Sequence, residues 1–149
     1  MTRILIVDGD MAVRAQIGRY ARLEGYDVAE ASDGYTAVAL FRQSTFDFVI
    51  LAVMLPELDG FSVCQTIRSF SQVPILILSE RGDEADRIRG LELWADDYVV
   101  KPFSPRELML RISVIMKRGP LLDSMRQRSI EQDGIYIDLI ARRVTVDGN

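Results

Sequence analysis

The sequence predicts an α/β protein in which helices cover both faces of a parallel β-sheet. Short apolar runs rich in β-branched residues recur along the chain, and segments with apolar residues three or four positions apart lie between them. Such continuous apolar runs are typical of strands buried on both faces, and their alternation with helices is typical of a doubly wound sheet. Cap and turn residues at the boundaries support the same assignment.

Five segments are predicted as strands. Four are continuous apolar runs, whereas the segment at residues 26–29 places the polar Asp27 between Tyr26 and Val28. We therefore expect that strand closer to an edge of the sheet. The predicted strands are residues 4–7, 26–29, 48–51, 75–78 and 98–100.

Five helices are predicted from apolar residues that recur at helical spacing. Asp10 is the expected N-cap of the first helix, and Gly25 is its expected C-terminal stop. Ser104, Pro105 and Glu107 predict a capping box at the start of the fifth helix. The apolar positions are Val13, Ile17, Tyr20 and Ala21; Ala37, Leu40 and Phe41; Phe61, Cys64 and Ile67; Ile88 and Leu91; and Leu108, Ile112 and Ile115.

The chain divides into three parts of different character. Residues 1–118 carry the alternating pattern of one domain, and the polar, basic stretch 119–129 is predicted as a linker. Residues 130–149 alternate apolar and polar positions, which is typical of strands with one exposed face. So short a segment cannot bury a core of its own. We therefore predict that it forms the first strands of a second domain, which continues beyond Asn149.

The composition excludes several classes of site. The net charge of −4 gives no basic footprint for nucleic acid within this chain. One cysteine and no histidine exclude a disulfide framework and a Cys/His metal site. No apolar run approaches the roughly 20 residues of a membrane span, and the first residues lack a signal-peptide pattern. A cytoplasmic protein without membrane contact is expected.

The residues that follow the predicted strands indicate where a ligand site would lie. Asp8 and Gly9 follow the first strand, Ala52 the third, Ser79 the fourth and Lys101 the fifth. Ligands of an open parallel sheet bind outside the carboxyl ends of its strands. A carboxylate, a hydroxyl and an ammonium at one edge suit a phosphoryl group, with carboxylates available to hold Mg²⁺.

Residues 3–118 resemble the receiver domain of response regulators, most closely that of the winged-helix (OmpR/PhoB-type) subfamily. The resemblance implies a flavodoxin-like, five-stranded sheet of order 2-1-3-4-5. It also implies that residues 130–149 are the first strands of a truncated winged-helix domain. The stretches that carry it are residues 4–8, 47–51, 54–56, 59–60 and 95–103, the last reading ADDYVVKPF.

The resemblance assigns the metal and phosphate positions of this family to three residues. Asp8 matches the first of two acidic Mg²⁺ ligands, but the second falls on Gly9 and the phosphate-accepting aspartate falls on Ala52. A methyl group cannot act as a nucleophile. One remaining carboxylate is expected to bind Mg²⁺ weakly or not at all. We therefore expect no catalytic residue, no cofactor and a vestigial metal position at Asp8.

The same resemblance assigns the conformational switch of the family. Ser79 matches the switch hydroxyl, Tyr98 the aromatic residue whose rotamer follows it, and Lys101 the invariant lysine. The bond between Lys101 and Pro102 is expected to be cis, as in the family. These residues predict that the switch is retained although its acceptor is replaced.

Trp94 and Cys64 are the other unusual positions. Receivers of this subfamily usually carry glycine at the position of Trp94, where a helix ends in left-handed geometry. Because this geometry strains a tryptophan, the fourth helix is expected to end differently. Trp94 is then either a half-buried residue over the neighbouring helix or an interface anchor. Cys64 is expected in the core rather than in a redox role.

The resemblance also implies a symmetric homodimer through the fourth helix, the fifth strand and the fifth helix. Opposite charges on these elements are expected to pair across the two-fold axis: Arg87 with Glu107, Asp97 with Arg111, and Asp96 with Arg118. A solvated charged face is the alternative. The predicted interface residues are Arg87, Ile88, Leu91, Asp96, Asp97, Glu107, Leu110, Arg111 and Arg118.

Two functions remain open at this point. The first is a DNA-binding transcriptional regulator of a two-component-like system that acts without aspartyl phosphorylation, with promoter DNA bound mostly beyond Asn149. The second is a receiver-like module that binds a protein or a small ligand and no DNA. An engineered, phosphorylation-null variant of an ordinary response regulator is a further alternative. An enzyme is not expected, because the edge lacks a nucleophile–base pair.

Overall fold

The computed structural model describes residues 1–80, 82 and 84–117, and these form a five-stranded parallel sheet. The strand order is β2-β1-β3-β4-β5, so the predicted fold class and strand order are confirmed. The predicted linker and the predicted strands after residue 129 lie outside the described residues. The strands are β1 (Arg3–Val7), β2 (Asp27–Ala31), β3 (Phe48–Ala52), β4 (Ile75–Ser79) and β5 (Asp97–Val100).

Each predicted helix is present in the described part of the chain. Residues 105–117 are helical and are called α5 below. No helix within the described residues combines the length and the apolar character that crossing a membrane requires. The other helices are α1 (Met11–Leu23), α2 (Gly34–Gln43), α3 (Gly60–Arg68) and α4 (Glu84–Glu92).

The core lies on both faces of the three central strands. On one face, Leu51 and Ile77 pack in a cluster with Val63 and Ile67 of α3. The alternate strand residues are also fully buried, as Ile50 shows, because side chains of a strand point to opposite faces. Each fully buried side chain of this size contributes about 1.5–3 kcal/mol. This burial holds the strand ends, and thus the polar edge, in fixed register.

The two edge strands differ from the central strands in burial. β2 lies at one edge, as its polar residue predicted. The apolar run at residues 98–100 predicts a strand covered on both faces, and this expectation is wrong. β5 is the opposite edge strand, and each of its residues is only half-buried, since it has β4 as its one neighbour in the sheet.

The predicted helix ends are largely confirmed. A carboxylate oxygen of Asp10 accepts a hydrogen bond from the amide of Ala12 at 2.9 Å, as an N-cap does. Gly25 follows α1 with φ of 91°, a conformation that glycine adopts at low cost. Ser104 accepts a hydrogen bond from the amide of Glu107 at 3.3 Å. Two further N-caps, Asp33 of α2 and Asp59 of α3, were not predicted.

Trp94 contradicts the expectation for the end of α4. Its φ is 63°, so it adopts the left-handed conformation that glycine usually supplies. The amide of Ala95 donates to the carbonyl oxygen of Gly90 at 3.1 Å, which closes the end of the helix around Trp94. The strain is offset by Arg68 of α3, which donates two hydrogen bonds to the carbonyl oxygen of Trp94. The low preference of tryptophan for this backbone conformation is thus outweighed by a contact with a residue 26 positions away.

Candidate functional site

The carboxyl ends of the strands bring the predicted polar residues to one edge of the sheet. Val7 pairs with Leu51 in the register of β1 and β3, so Asp8 and Ala52 both lie where these strands end. On the other side of β3, the amide of Lys101 donates to the carbonyl oxygen of Ser79 at 2.7 Å. We call the group of Asp8, Ala52, Ser79 and Lys101 the carboxyl-edge site.

An ion pair crosses the carboxyl-edge site. The ammonium Nζ of Lys101 lies 2.8 Å from Oδ2 of Asp8, and the two side chains are 18% and 4% exposed. Glu80 is a weaker neighbour, with its Oε2 at 3.9 Å from the same ammonium. Because the pair is largely screened from water, its charges interact more strongly than those of a surface pair.

The remaining oxygen atoms of Asp8 also have donors. Oδ1 accepts a hydrogen bond from the amide of Asp10 at 2.9 Å. The backbone carbonyl oxygen accepts a hydrogen bond from Nη1 of Arg14 at 2.7 Å, while Nε of Arg14 contacts Glu30 at 3.1 Å. Neither Arg14 nor Glu30 was predicted from the sequence as part of the site. The one available signal was the position of Arg14 in the first turns of α1, next to the end of β1.

Ala52 is buried and lies against a glycine. A Cβ added at Gly60 would stand 2.0 Å from the carbonyl oxygen of Ala52, so only glycine permits this approach of α3 to β3. The amide of Gly60 also donates to the carbonyl oxygen of Val53 at 2.9 Å. At Gly9, by contrast, a Cβ would meet its nearest atom, in Pro56, at 3.6 Å, which is an ordinary contact.

Tyr98 and Ser79 occupy different surroundings. Ser79 is buried at the end of β4, as the strand pattern predicted. Tyr98 is half-buried and lies over α4, since a Cβ added at Gly90 would stand 3.2 Å from its ring. The guanidinium carbon of Arg87 lies 5.9 Å from the centre of the same ring. Gly90 therefore leaves the space in which Tyr98 packs, and it is the buried residue of α4.

The predicted interface residues other than Asp96 and Arg118 lie on α4, β5 and α5, and their apolar members are exposed. Ile88, Leu91 and Leu110 are 46%, 56% and 64% exposed. Their charged neighbours pair within the chain: Arg111 lies 2.9 Å from Asp97 and 3.0 Å from Glu107. Arg118 lies outside the described residues.

Asp96 does not belong with this exposed group. Its predicted role at the interface is wrong. Its side chain is 2% exposed and lies 3.1 Å from Arg68. It also accepts a hydrogen bond from the amide of Ile75 at 2.8 Å. Because the carboxylate is turned into the chain, it is not available to Arg118 of a second copy. Arg68, which binds both Asp96 and Trp94, was not singled out in the sequence.

Residues 4–113 match a known protein family, described as "Response regulator receiver domain". The chain belongs to this family. The strand order described above is the order that the receiver resemblance predicted.

Curated relatives are named as transcriptional regulators. The probable transcriptional regulator ycf27 of Guillardia theta is 53% identical over 116 residues, covering 78% of this chain and 46% of that protein. ycf27 of Cyanophora paradoxa is 42% identical over 150 residues, covering 98% and 63%. The transcriptional regulatory protein ResD of Bacillus subtilis is 36% identical over 152 residues, covering 99% and 63%. The chain thus spans about half to two thirds of the length of these relatives.

Solved receiver structures share the fold of this chain. The receiver domain of the Francisella response regulator 1452 is 32% identical, with a TM-score of 0.75, and covers 79% of this chain and 98% of that chain. The Vibrio cholerae chemotaxis protein CheY4 is 28% identical, with a TM-score of 0.72, and covers 76% of this chain and 97% of that chain.

The residues of the carboxyl-edge site do not fit the divalent cation that the receiver family implies. Mg²⁺ prefers oxygen ligands in octahedral geometry and gives up its water reluctantly. Gly9 and Ala52 offer no side-chain oxygen, and the oxygens of Asp8 already accept from Lys101, Asp10 and Arg14. Within the described residues, no group of three acidic, histidine or cysteine side chains is placed to hold a metal ion.

Proposed function

We propose that this chain is the receiver part of a DNA-binding transcriptional regulator that acts without aspartyl phosphorylation. In this proposal Ala52 stands at the phosphoacceptor position and the receiver serves as a dimerisation or regulatory module. The observation that carries it is the ion pair between Lys101 and Asp8 beside a residue that has no nucleophile. The family membership and the names of the curated relatives support the regulatory role.

The chemistry of the edge supports independence from phosphate. Formation of an aspartyl phosphate requires a carboxylate oxygen to attack phosphorus, and Ala52 offers a methyl group. The ammonium that would hold a phosphate oxygen is already bound to Asp8 at 2.8 Å. A signal that reaches this domain therefore has to act through something other than acceptance of a phosphoryl group at residue 52.

The exposed apolar residues support homodimerisation through α4, β5 and α5. Ile88 and Leu91 of α4 and Leu110 of α5 are exposed, and α5 also carries the exposed ion pair of Arg111 and Glu107. Exposed apolar side chains with charged surroundings are typical of an interface with a polar rim. Because Arg111 already pairs with Asp97 inside the chain, a dimer would exchange or share these ion pairs rather than create them. Its affinity would then come mainly from the apolar residues.

The DNA-binding part of the proposal concerns the longer protein. The curated relatives exceed this chain in length, and the net charge of −4 gives the chain as a whole no basic excess of the kind that favours DNA binding. Promoter DNA would be bound by a domain mostly beyond Asn149, in the cytoplasm.

The decisive experiment is exposure to acetyl phosphate or BeF₃⁻, followed by intact mass measurement and two-dimensional NMR. We expect no adduct and no shift of the amide signals of residues 8–10 and 52–54. The matched variant carries Gly9→Asp and Ala52→Asp, and it is expected to gain both responses because acceptor and metal ligands are restored. An adduct on the unchanged chain would overturn the proposal.

Dimerisation has a separate test in analytical ultracentrifugation. The double variant Ile88→Glu, Leu91→Glu places charge on the proposed interface and is expected to sediment as a monomer under conditions in which the unchanged chain is dimeric. Leu23→Glu, at an exposed residue of α1, is the control and should leave the mass unchanged. Equal masses for all three proteins would refute this interface.

A further inference from the structure

We propose that the ammonium group of Lys101 is the resident cation of the carboxyl-edge site and replaces a divalent metal ion as the counter-charge of Asp8. This inference deepens the proposed function, on which it rests, because it explains how the site remains intact without a metal ion. The family implies an external cation here, whereas this chain supplies one from the residue that directly follows β5.

Every oxygen atom of Asp8 is engaged by a donor of the same chain. Oδ2 binds Lys101, Oδ1 binds the amide of Asp10, and the carbonyl oxygen binds Arg14. A metal ion approaching Asp8 would have to displace at least one of these donors. Displacing the ammonium leaves a largely buried positive charge without its partner, which is costly. The hydrogen bonds around Asp8 therefore oppose metal binding.

The charge balance at the edge supports the same conclusion. One ammonium faces one buried carboxylate, and the charge-assisted bond of 2.8 Å between them is short. A divalent ion would bring two positive charges to a site whose other candidate positions, Gly9 and Ala52, have no charge. Glu80 is a second carboxylate near Lys101, and its side chain is 64% exposed and 3.9 Å away. Among the described residues, Lys101 therefore supplies the main counter-charge of Asp8.

Packing around Gly9 leaves room for a side chain at the position of the second carboxylate. A Cβ at Gly9 would meet Pro56 at 3.6 Å and the carbonyl oxygen of Ser32 at 3.8 Å, and the backbone of Gly9 is not left-handed. A Cβ at this position therefore meets only ordinary contacts, and we expect Gly9→Asp to fold. This permits a direct competition between the ammonium and a metal ion for the same carboxylate.

A double-mutant cycle measures the coupling between Asp8 and Lys101 in the unfolding equilibrium. Asp8→Asn, Lys101→Met and the double variant are compared by urea unfolding, with EDTA and with millimolar Mg²⁺. We expect a coupling of about tenfold or more in the unfolding equilibrium constant, equal in both solutions. The exposed pair of Arg3 and Asp27, whose side chains are 37% and 50% exposed, is the control. Its cycle should give less than about fivefold.

Binding of Mn²⁺ measures how strongly the ammonium of Lys101 competes with a metal ion for Asp8. Broadening of the amide signals of residues 8–10 is followed in Gly9→Asp and in Gly9→Asp, Lys101→Met. Removal of the ammonium is expected to tighten Mn²⁺ binding by about tenfold or more, because the ion no longer competes with a fixed charge. The variant Gly9→Asp, Lys117→Met changes the other lysine of the chain, which is exposed, and should bind like Gly9→Asp.

Two results would overturn the inference. One is a coupling between Asp8 and Lys101 that is no larger than the control, or that disappears when Mg²⁺ is added. The other is an equal affinity for Mn²⁺ with and without the ammonium. Neither result depends on phosphorylation, so failure of this inference is distinguishable from failure of the proposed function, which acetyl phosphate decides.

Discussion

The guanidinium of Arg68 holds the carbonyl oxygen of Trp94 through two hydrogen bonds, from Nε at 3.1 Å and from Nη2 at 2.9 Å. Nη2 also contacts the buried carboxylate of Asp96 at 3.1 Å. One side chain at the end of α3 thereby fixes the turn between α4 and β5. This turn sets how α4, which carries the exposed residues Ile88 and Leu91, is joined to β5.

Replacement of Arg68 by methionine is expected to lower the free energy of unfolding by about 3–5 kcal/mol, because it removes the guanidinium from the buried carboxylate of Asp96. Urea unfolding measures this value. The double variant Arg68→Met, Asp96→Asn should lose clearly less than the sum of its single variants, since no charge is left unpaired. Strict additivity would contradict the role given to this pair.

Trp94 offers a test of backbone strain that is independent of its side-chain packing. Trp94→Gly and Trp94→Ala both remove the indole ring, but only glycine adopts φ of 63° at low cost. We expect the glycine variant to be more stable than the alanine variant by about 1 kcal/mol. Thermal and urea unfolding of the two proteins give this difference directly. An alanine variant of equal or higher stability would show that the turn is not strained.

Gly60 and Gly9 are expected to differ sharply in their response to a methyl group. Gly60→Ala brings a Cβ to 2.0 Å from the carbonyl oxygen of Ala52 and should destabilise the fold by about 3 kcal/mol, because α3 has to move away from β3. Gly9→Ala makes only ordinary contacts and should change stability by less than about 1 kcal/mol. Similar losses for both variants would contradict the close approach at Gly60.

The buried thiol of Cys64 is expected to make the stability of the fold depend on pH at high pH. Burial raises the pKa of its thiol from 9.0 to about 11. Between these two values the unfolded chain releases a proton that the folded chain retains, so stability falls as pH rises through this range. Below pH 9.0 both states keep the proton and the thiol contributes no pH dependence. Relative to Cys64→Ala, the unchanged chain should lose about 2–3 kcal/mol across the range. Parallel pH profiles would refute this effect.

Local patterns in the sequence were sufficient for most of the fold. The apolar runs around Ile50 and Ile77 mark the central strands because parallel strands covered by helices have no polar face. Asp10 and Gly25 mark the ends of α1 because caps act through atoms only a few residues away. Burial of Cys64 follows in the same way from its position on the apolar side of α3.

The sequence was less informative where residues distant in the chain determine the structure. The left-handed Trp94 and the buried Asp96 both depend on Arg68, which is 26 and 28 residues away. No periodicity or cap pattern relates these positions. The hydrogen bond from Arg14 to the carbonyl oxygen of Asp8 was not predicted for a related reason. Every residue has a backbone carbonyl, so the residue type of the acceptor does not reveal such a bond.

The ion pair between Asp8 and Lys101 joins residues that are 93 positions apart, at the end of the first strand and just after the last. Because β3 and β4 lie between β1 and β5 in the sheet, the pair can form only when these four strands have assembled. We expect a contact of this kind to form on the native side of the folding transition state. Its energy therefore slows unfolding while leaving the folding rate nearly unchanged, which gives the domain a longer lifetime in its native state.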